Sequence, residues 1–346
     1  MPFIFAENYK SVSQEKEIVL SGIRPTGNLH LGNYFGAVKQ FIKMQEEYNC
    51  YFMIADYHSL TTHPNPKDLQ ANVKQVLAEY IACGVDPNKS ALFVQSHLPE
   101  TAELYLLLAM HAYKGELEKT ASFKEKARKQ TENINAGLLT YPVLMAADIL
   151  IHRATKVPVG KDQEQHLEMT RDYSRRFNRI YNCEILPEPS AFNFTGKLVK
   201  VPGLDGSGKM GKSEGGNNAI FLTDNEATVL KKLKKAKTDA GPTEPNQEKP
   251  QEIANLFNIS ELVNPETAAH FNEAYNNMTI RYGDFKKAIA ADVWAYIKPM
   301  NERIADTRAN EKLLNEVMEQ GMEKAQLSAR NTLNLVREAI GLKRIY

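Results

Sequence analysis

The sequence predicts an α/β protein with a parallel sheet covered by helices in its first part and a smaller, all-helical domain after it. Three short apolar, β-branched runs at 18–23, 50–60 and 91–97 alternate with helical patterns, which is the βαβ arrangement of a parallel sheet. From about residue 225 the strand patterns stop and apolar residues recur at helical spacing. No repeat of fixed period is present, which excludes solenoids and propellers.

Length, composition and charge limit the function classes. The chain has 346 residues, enough for two domains because single cores rarely grow beyond roughly 250–300 residues. Its 43 Lys and Arg nearly balance 42 Asp and Glu, for a net charge of +1. This balance disfavours a surface that is basic throughout but allows local basic patches for nucleic acid. The 42% hydrophobic and 25% charged residues are those of a soluble protein.

The cysteines and the apolar segments favour a cytoplasmic location. Cys50, Cys83 and Cys183 have no short spacing, which fits neither a disulfide framework nor a Cys-rich zinc site. The first residues lack the pattern of a secretory signal. The apolar stretch 137–152 is shorter than a membrane span and contains Asp148. We therefore expect a cytoplasmic protein that does not bind membranes.

Each remaining element follows from a local pattern. A helix that starts at Pro66 is expected to end at Gly84. The charged stretch 114–139 indicates an insertion between two βαβ halves. A helix from about Tyr141, a strand at 157–160 and a long helix over 161–181 then continue the alternation.

The turn at 21–34 directly after the first strand is a candidate phosphate site. Gly22, Pro25 and Gly27 favour a turn, and a helix opens at Gly32, so its free N–H groups and positive dipole end favour an anion. His30 and Asn33 can each donate a hydrogen bond to the same anion. The spacing does not fit the G-x-G-x-x-G of dinucleotide enzymes. An ordinary Gly-rich turn explains this segment equally well.

The Gly-rich loop at 203–216 carries Lys209 and Lys212, which could close over a polyphosphate as its charge grows in the transition state. The loop nearly matches a P-loop, but Met210 replaces the Ser or Thr that would hold magnesium, and further glycines replace the helix. A solvated surface loop is the simpler alternative, because exposed lysines are common.

Two segments could hold an aromatic substrate. In 140–152, Tyr141, Met145, Asp148 and His152 are expected to share one helical face, where the carboxylate could accept one aromatic N–H in an apolar slot. An ion pair between Asp148 and Arg153 is the alternative. In 157–166, Gly160, Asp162 and Gln163 follow a strand end where a ribose or amino acid could bind, although a helix N-cap by Asp162 also fits. The histidines lack metal-ligand spacing, so we expect no tightly bound metal.

Together these segments resemble the tryptophanyl-tRNA synthetases over nearly the whole chain. HLGN at 30–33 stands where class I aminoacyl-tRNA synthetases carry HIGH, and KMGKS at 209–213 stands where they carry KMSKS. The tryptophan-specific resemblance lies in GNYFGA (32–37), GELEKTASFKEK (115–126), LMAADIL (144–150) and VPVGKDQEQHLEMTRD (157–172). It implies a Rossmann-like catalytic domain at 1–220 and a helical domain at 221–346 that reads the tRNA anticodon.

The resemblance also implies three groups of site residues. It places ATP contacts at Arg24, Pro25, Thr26, Gly32, Asn33, Gly160, Lys161, Asp162, Val201, Lys209, Met210, Gly211, Lys212 and Ser213. It places the tryptophan pocket at Asp148, which would accept the indole N–H, and at Tyr141, Met145, His58 and Gln163. It assigns catalysis to His30, Asn33, Lys209 and Lys212, with help from Lys126. Gly211 replaces the usual Ser of the second motif, which predicts a more flexible loop.

The implied reaction is attack of the tryptophan carboxylate on the α-phosphorus of ATP, release of pyrophosphate, and transfer of the acyl group to tRNA. The implied partners are ATP with its Mg²⁺, L-tryptophan, tRNA(Trp) and a second copy of the chain in a homodimer. Positioning and charge stabilisation suffice for this chemistry, because a carboxylate is already a nucleophile at neutral pH.

Two other functions remain open at this point. A tyrosine-specific synthetase, or another class I adenylyl-transferring enzyme, shares the turn and loop motifs. A catalytically silent RNA-binding paralogue is a rival of another class, although retention of His30 and the two loop lysines disfavours it. The basic runs at 124–129 and 231–237 are candidate tRNA phosphate contacts, and solvated helix faces explain them equally well.

Overall fold

The computed structural model describes residues 16–129, 132, 134–160, 163–192, 199–206, 208–211 and 218–342, apart from the side chains of Lys126 and Lys129. Its centre is a parallel sheet with the strand order β3-β2-β1-β4-β5. The strands are β1 (Ile18–Ile23), β2 (Asn49–Ile54), β3 (Ser90–Val94), β4 (Lys156–Val157) and β5 (Ser190–Ala191). The α/β prediction with a parallel sheet is confirmed.

Helices connect the strands and form most of the rest of the described chain. Between the strands and after β5 they are α1 (Leu31–Asn33), α2 (Lys39–Glu47), α3 (Asp56–Ser59), α4 (Pro66–Cys83), α5 (Pro99–Ala109), α6 (Lys114–Glu118), α7 (Ala121–Lys129), α8 (Ala136–Ile151), α9 (Glu164–Ile180), α10 (Glu226–Lys234), α11 (Gln251–Val263), α12 (Pro265–Asn276), α13 (Tyr282–Ala309) and α14 (Glu311–Ala339). A π-helical segment joins α1 to α2, and 3-10 turns follow α3 and β3. Within the described ranges, no helix is both long and apolar enough to cross a membrane.

Several boundaries differ from the sequence-based expectation. The second strand ends at Ile54 rather than near residue 60, because Asp56 begins a short helix. The expected strand at 157–160 is reduced to two residues, since Pro158 lacks an N–H for the ladder. Helix α8 begins at Ala136 under an Asn135 cap, five residues before the expected start. Helix α4 ends as expected, with Gly84 at φ 109°.

The sheet separates two hydrophobic cores. Alternate side chains of β2 enter opposite cores, with Phe52 on one face and Met53 on the other. Strand β3 is buried on both faces as well. These continuous apolar strands are those of a parallel sheet with helices on both sides.

Helix α14 belongs to both cores. Leu314 and Val317 join the first core, and Ala325 and Ala329 join the second. Between them the helix passes the edge strand β3 at Gly321, where an added Cβ would lie 1.8 Å from the Leu92 carbonyl oxygen. The helical region therefore packs directly on the sheet, and the division at 220/221 into two functional domains stays a prediction.

A buried histidine makes the packing of this second core pH-sensitive. The His152 ring stacks on Tyr51 at 4.4 Å, and its Nδ1 lies 3.2 Å from Ser328 Oγ on α14. Burial lowers the pKa of His152 from 6.5 to about 3. The unfolded chain therefore binds a proton that the folded chain does not, and folding stability is lost as pH falls from 6.5 toward 3.

We expect the unfolding free energy of the protein to fall by about 2 kcal/mol between pH 6.5 and pH 5.0 through this one group. His152→Phe, which keeps an aromatic ring against Tyr51, should lose less stability over that interval. Urea titrations at both pH values measure the difference. His270→Gln, at an exposed position of α12, is the control and should keep the wild-type slope; an unchanged slope in His152→Phe would contradict the assignment.

Candidate active site

Two adjoining cavities lie at the carboxyl ends of the strands. They open beside the neighbouring strands β1 and β4. The strand order reverses between these two strands, because β2 and β3 lie on one side of β1 whereas β4 and β5 lie on the other. Ligands of open parallel sheets bind at such switch points. The first cavity measures about 430 Å³ and the second about 650 Å³. Arg24, Gly160 and Gln163 line both, so one molecule in each cavity would meet the other at these residues.

The first cavity is a mostly apolar slot. Its apolar walls come from β1, β2, α8 and the segment after β4, and include Leu20, Met53, Ala55, Met145, Ile149, Val157, Pro158 and Val159. Asp148, His58, Tyr141 and Gln163 supply polar groups. The predicted pocket residues Asp148, Tyr141, Met145, His58 and Gln163 thus meet in one cavity.

Asp148 is the buried acid of this slot, with 2% of its surface exposed. His58 Nε2 lies 2.9 Å from Oδ2, and Gln95 Nε2 donates to both carboxylate oxygens at 2.8 and 3.0 Å. Burial raises the pKa of Asp148, and the hydrogen bonds from His58 and Gln95 oppose that rise. The expected alternative of an Asp148–Arg153 ion pair is not what the structure shows.

Sequence reasoning missed Gln95, although a local feature marks it. It is the first polar residue after β3, at the carboxyl end of a strand buried on both faces. Only 1% of its surface is exposed, so its amide serves Asp148 and not solvent.

A second polar network holds Tyr141 and Gln163 in the wall of the slot. The Tyr141 hydroxyl lies 2.6 Å from Ser122 Oγ and 2.7 Å from His166 Nε2. His166 Nδ1 lies 2.9 Å from Gln163 Oε1, so it donates to that carbonyl and leaves Nε2 as the acceptor. With its carbonyl bound to His166, Gln163 turns its amide nitrogen away from that ring. Ser122 and His166 were not expected here, because 44 residues separate them in sequence.

His152 lies one helical turn beyond Asp148 but does not line the slot. Its ring stacks on Tyr51 and meets Phe93 edge-on, two residues before Met53, which lines the slot, and Gln95, which binds Asp148. The expected shared face of α8 therefore continues past the slot into the second core, where His152 packs.

The second cavity lies over the turn between β1 and α1. Arg24, Thr26, His30, Gly32 and Asn33 line it, together with Val199, Lys200, Val201, Lys209, Met210 and Gly211 from the lysine loop and its approach. Pro25 is buried inside the turn and is not among the lining residues. The other predicted ATP contacts of the described chain, Gly160 included, meet in this cavity.

His30 and Asn33 hold each other at the start of α1. Asn33 N–H donates to His30 Nδ1 at 3.3 Å, and His30 N–H donates to Asn33 Oδ1 at 3.1 Å. This reciprocal cap leaves the ring proton of His30 on Nε2 and the Asn33 amide nitrogen on the side away from the cap. Both side chains therefore lie where an anion at this helix N-terminus would bind.

Gly32 is required by the position of the His30 ring. An added Cβ would lie 2.8 Å from both Cε1 and Nδ1 of that ring. We expect Gly32→Ala to displace the imidazole and to lower the rate of the site's reaction by about tenfold or more, with little loss of thermal stability because alanine favours a helix. Gly115→Ala, with nothing within 4 Å, is the matched helix control. Equal rates for both variants would contradict this role of Gly32.

A buried carboxylate holds the turn through a hydrogen bond to its backbone. Glu79 on α4 is fully buried, accepts the Leu29 N–H at 2.9 Å and the Gln75 amide at 3.0 Å, and so anchors the residue before His30. Sequence reasoning missed it, because 50 residues separate Glu79 from Leu29.

The lysine loop is described in part. Met210 is buried and its N–H donates to the Val201 carbonyl at 2.8 Å, which places Lys209 at the cavity wall. Lys161, Asp162, Lys212 and Ser213 lie outside the described residues, as does the side chain of Lys126. In the described ranges no three His, Cys, Asp or Glu side chains are grouped as metal ligands would be.

An apolar slot with one buried acid, next to a strand-to-helix turn and a lysine loop on a parallel sheet, is the arrangement that the resemblance to class I aminoacyl-tRNA synthetases leads us to expect. The family model for class I tRNA synthetases of the W and Y type matches residues 12–297. The chain belongs to this family, in its tryptophanyl-tRNA synthetase branch, as the following relatives show.

Three similar proteins that act on tryptophan match this chain along nearly their whole length. A tryptophan–tRNA ligase of Porphyromonas gingivalis is 59% identical over 328 residues, which cover 94% of this chain and 100% of that protein. The structure of tryptophanyl-tRNA synthetase from Campylobacter jejuni with ADP and tryptophan is 35% identical, covers 94% and 99% of the two chains, and has a TM-score of 0.83. The enzyme from Mycoplasma pneumoniae is 31% identical, covers 95% and 98%, and has a TM-score of 0.80.

Proposed function

We propose that this chain is a tryptophan–tRNA ligase that forms tryptophanyl-adenylate from L-tryptophan and ATP and then charges tRNA(Trp). The observation that carries the proposal is the junction of the two cavities. The apolar slot with Asp148 suits an indole, the neighbouring cavity with His30 and Asn33 suits a nucleotide, and both share Arg24 and Gln163. The carboxylate of one substrate would thus meet the α-phosphate of the other.

The slot favours tryptophan over tyrosine on size and polarity. Met145 and Ile149 offer only apolar surface beside the acid. An indole fills such a slot and gives its single N–H to Asp148, whereas a smaller ring leaves a cavity and loses the hydrogen bond of that N–H. A hydrogen bond to a charged group contributes about 1.5–3 kcal/mol, and the cavity adds to the cost of losing it. Rejection at binding makes editing unnecessary.

The chemistry needs positioning and charge stabilisation from the protein. Nε2 of His30 and the amide of Asn33 would donate to phosphate oxygens, and Lys209 would neutralise charge on the departing pyrophosphate. We assign the same role to Lys212, with Lys126 in support, and ribose contacts to Gly160, Lys161 and Asp162. Magnesium arrives with ATP, since phosphate oxygens are ligands that it prefers.

A pyrophosphate-exchange assay tests this function. Labelled pyrophosphate should enter ATP only when the cognate amino acid forms the adenylate, so tryptophan should support exchange and tyrosine and phenylalanine should not. Exchange driven by tyrosine would favour the tyrosine-specific alternative. Absence of exchange with every amino acid would favour a silent RNA-binding paralogue.

The helical region at 221–346 is proposed to bind the anticodon side of tRNA, with α10 as one contact surface. Lys231, Lys234, Lys235 and Lys237 are exposed. Lys232 is not available for phosphate, because it is buried and paired with Asp224 at 2.6 Å. Within the run 231–237, Lys232 is therefore neither a phosphate contact nor part of a solvated helix face. In 124–129, Lys124 and Arg128 are exposed and remain candidates.

A second copy of the chain is proposed to cover an apolar patch at the end of α5. Leu106, Met110 and Tyr113 are 52%, 71% and 58% exposed, and apolar side chains exposed together mark candidate protein–protein interfaces. We expect a homodimer by analytical ultracentrifugation, and dissociation on Met110→Lys. A monomeric wild type would contradict the proposal. The cysteines Cys50, Cys83 and Cys183 are free thiols, and we propose on that ground that the protein is located in the reducing cytoplasm.

A further inference from the structure

The segment 220–224 connects the lysine loop, the catalytic turn and the helical region. It forms an isolated antiparallel bridge with the turn, centred on His30 and Phe221, whose rings meet edge-on at 6.4 Å. Two backbone hydrogen bonds of 2.9 Å make the bridge, from Leu31 N–H to the Ile220 carbonyl and from Leu222 N–H to the Leu29 carbonyl. The position of this segment therefore determines the position of His30.

One carboxylate oxygen fixes the far end of the segment. Asp224 Oδ2 accepts the Phe221 N–H at 2.9 Å and the Lys232 ammonium at 2.6 Å. The Lys232 nitrogen also lies 4.5 Å from the centroid of the Phe221 ring. Only 7% of Lys232 is exposed, so water and salt screen this ion pair less than a surface pair.

A second helix of the helical region holds the same segment. Asn301 on α13 donates to the carbonyls of Leu222 at 2.9 Å and Asp224 at 3.3 Å. Helix α10, through Lys232, and helix α13, through Asn301, thus fix the strand that pairs with the catalytic turn. Neither Asp224 nor Lys232 is among the residues that line the two cavities.

We propose that Lys232 and Asp224 are positioning residues for His30, whose imidazole their ion pair holds in place for adenylate formation. The proposal rests on the synthetase function. Loss of the pair frees the turn at Phe221, so His30 samples positions that cannot reach the phosphate. The tryptophan slot does not touch this segment and keeps its affinity.

The test combines two variants that break the pair with two matched controls. Asp224→Asn retains an oxygen for the Phe221 N–H but removes the charge, and Lys232→Met retains most of the side chain's length. In tryptophan-dependent pyrophosphate exchange, both should lose about tenfold or more in kcat, while KM for tryptophan stays within about twofold. Lys43→Met and Lys67→Met, at exposed positions of α2 and α4, should exchange like the wild type.

Further measurements separate positioning from folding. The assays are run well below the thermal midpoint of each variant, so that every variant is folded. Lys232→Arg, which restores the positive charge, should recover most of kcat. Imidazole resonances of ¹⁵N-labelled histidine should shift for His30 in Asp224→Asn but not for the distant His270. Wild-type kcat in folded Asp224→Asn and Lys232→Met, or an unmoved His30 resonance, would overturn the proposal. The resonance test holds even if the wild type exchanges no pyrophosphate, so the two failures are distinguishable.

Discussion

Asp148→Ala is expected to raise KM for tryptophan by about a hundredfold in pyrophosphate exchange, while KM for ATP changes by less than about threefold. The carboxylate would give the indole N–H an ionic acceptor, and a hydrogen bond to a charged group contributes about 1.5–3 kcal/mol. The alanine also leaves the buried donors of His58 and Gln95 without their shared partner. Both effects act on the amino-acid slot and spare the nucleotide cavity.

Asp148→Asn serves as the control for shape. The amide has the volume of the carboxylate but offers one acceptor instead of two, and its NH₂ group would face the donors of His58 or Gln95. We expect a KM for tryptophan between those of the wild type and the alanine variant, at similar thermal stability. Increases of equal size in KM for tryptophan and in KM for ATP would exclude Asp148 as the indole acceptor.

Gly321→Ala is expected to have the largest effect on stability. Its Cβ would lie 1.8 Å from the Leu92 carbonyl oxygen and 2.6 Å from the carbonyl carbon, and both are backbone atoms that no rotamer change can move. Helix α14 must shift away from β3, which loosens two cores at once. Overpacking of this kind costs about 3 kcal/mol or more, and a lower midpoint in thermal unfolding measures it.

Gly283→Ala is the matched control for this substitution. Gly283 also lies in a long helix, but nothing is within 4 Å of its missing Cβ. Alanine there should be neutral or slightly stabilising, because glycine lowers helix propensity by about 1 kcal/mol. If Gly321→Ala unfolds at the same temperature as Gly283→Ala, the close contact between α14 and β3 does not exist in solution.

The sequence was sufficient to predict features that depend on residues close together in the chain. The end of α4 at Gly84 follows from a single residue's φ preference, and the start of α10 after Asn225 follows from a side-chain cap. The glycine-rich turn after β1 and Asp148 could be singled out as candidate site residues because a strand end, a helix start and an isolated acid are all local patterns. Even so, the two-residue strand at Lys156–Val157 was too short for its own pattern to define.

The sequence was insufficient where the partner lies far along the chain. Glu79 contacts a backbone N–H 50 residues earlier, and Gln95 contacts an acid 53 residues later. In the sequence, Lys232 cannot be distinguished from the exposed lysines beside it, because only the packing of α10 shows which lysine faces Asp224. Burial and pairing of polar groups depend on the tertiary fold, and no local propensity records them.

The closure of the sheet edge by α14 also orders events during synthesis. Gly321 leaves the ribosome about 230 residues after Leu92, which it covers. At a translation rate of roughly 5–20 residues per second, β3 is synthesised about 10–50 seconds before the part of α14 that packs against it. During that time the nascent chain presents an unprotected strand edge, the kind of surface that pairs with other chains. The newly made polypeptide should therefore need chaperones most in this interval, before its last helix emerges.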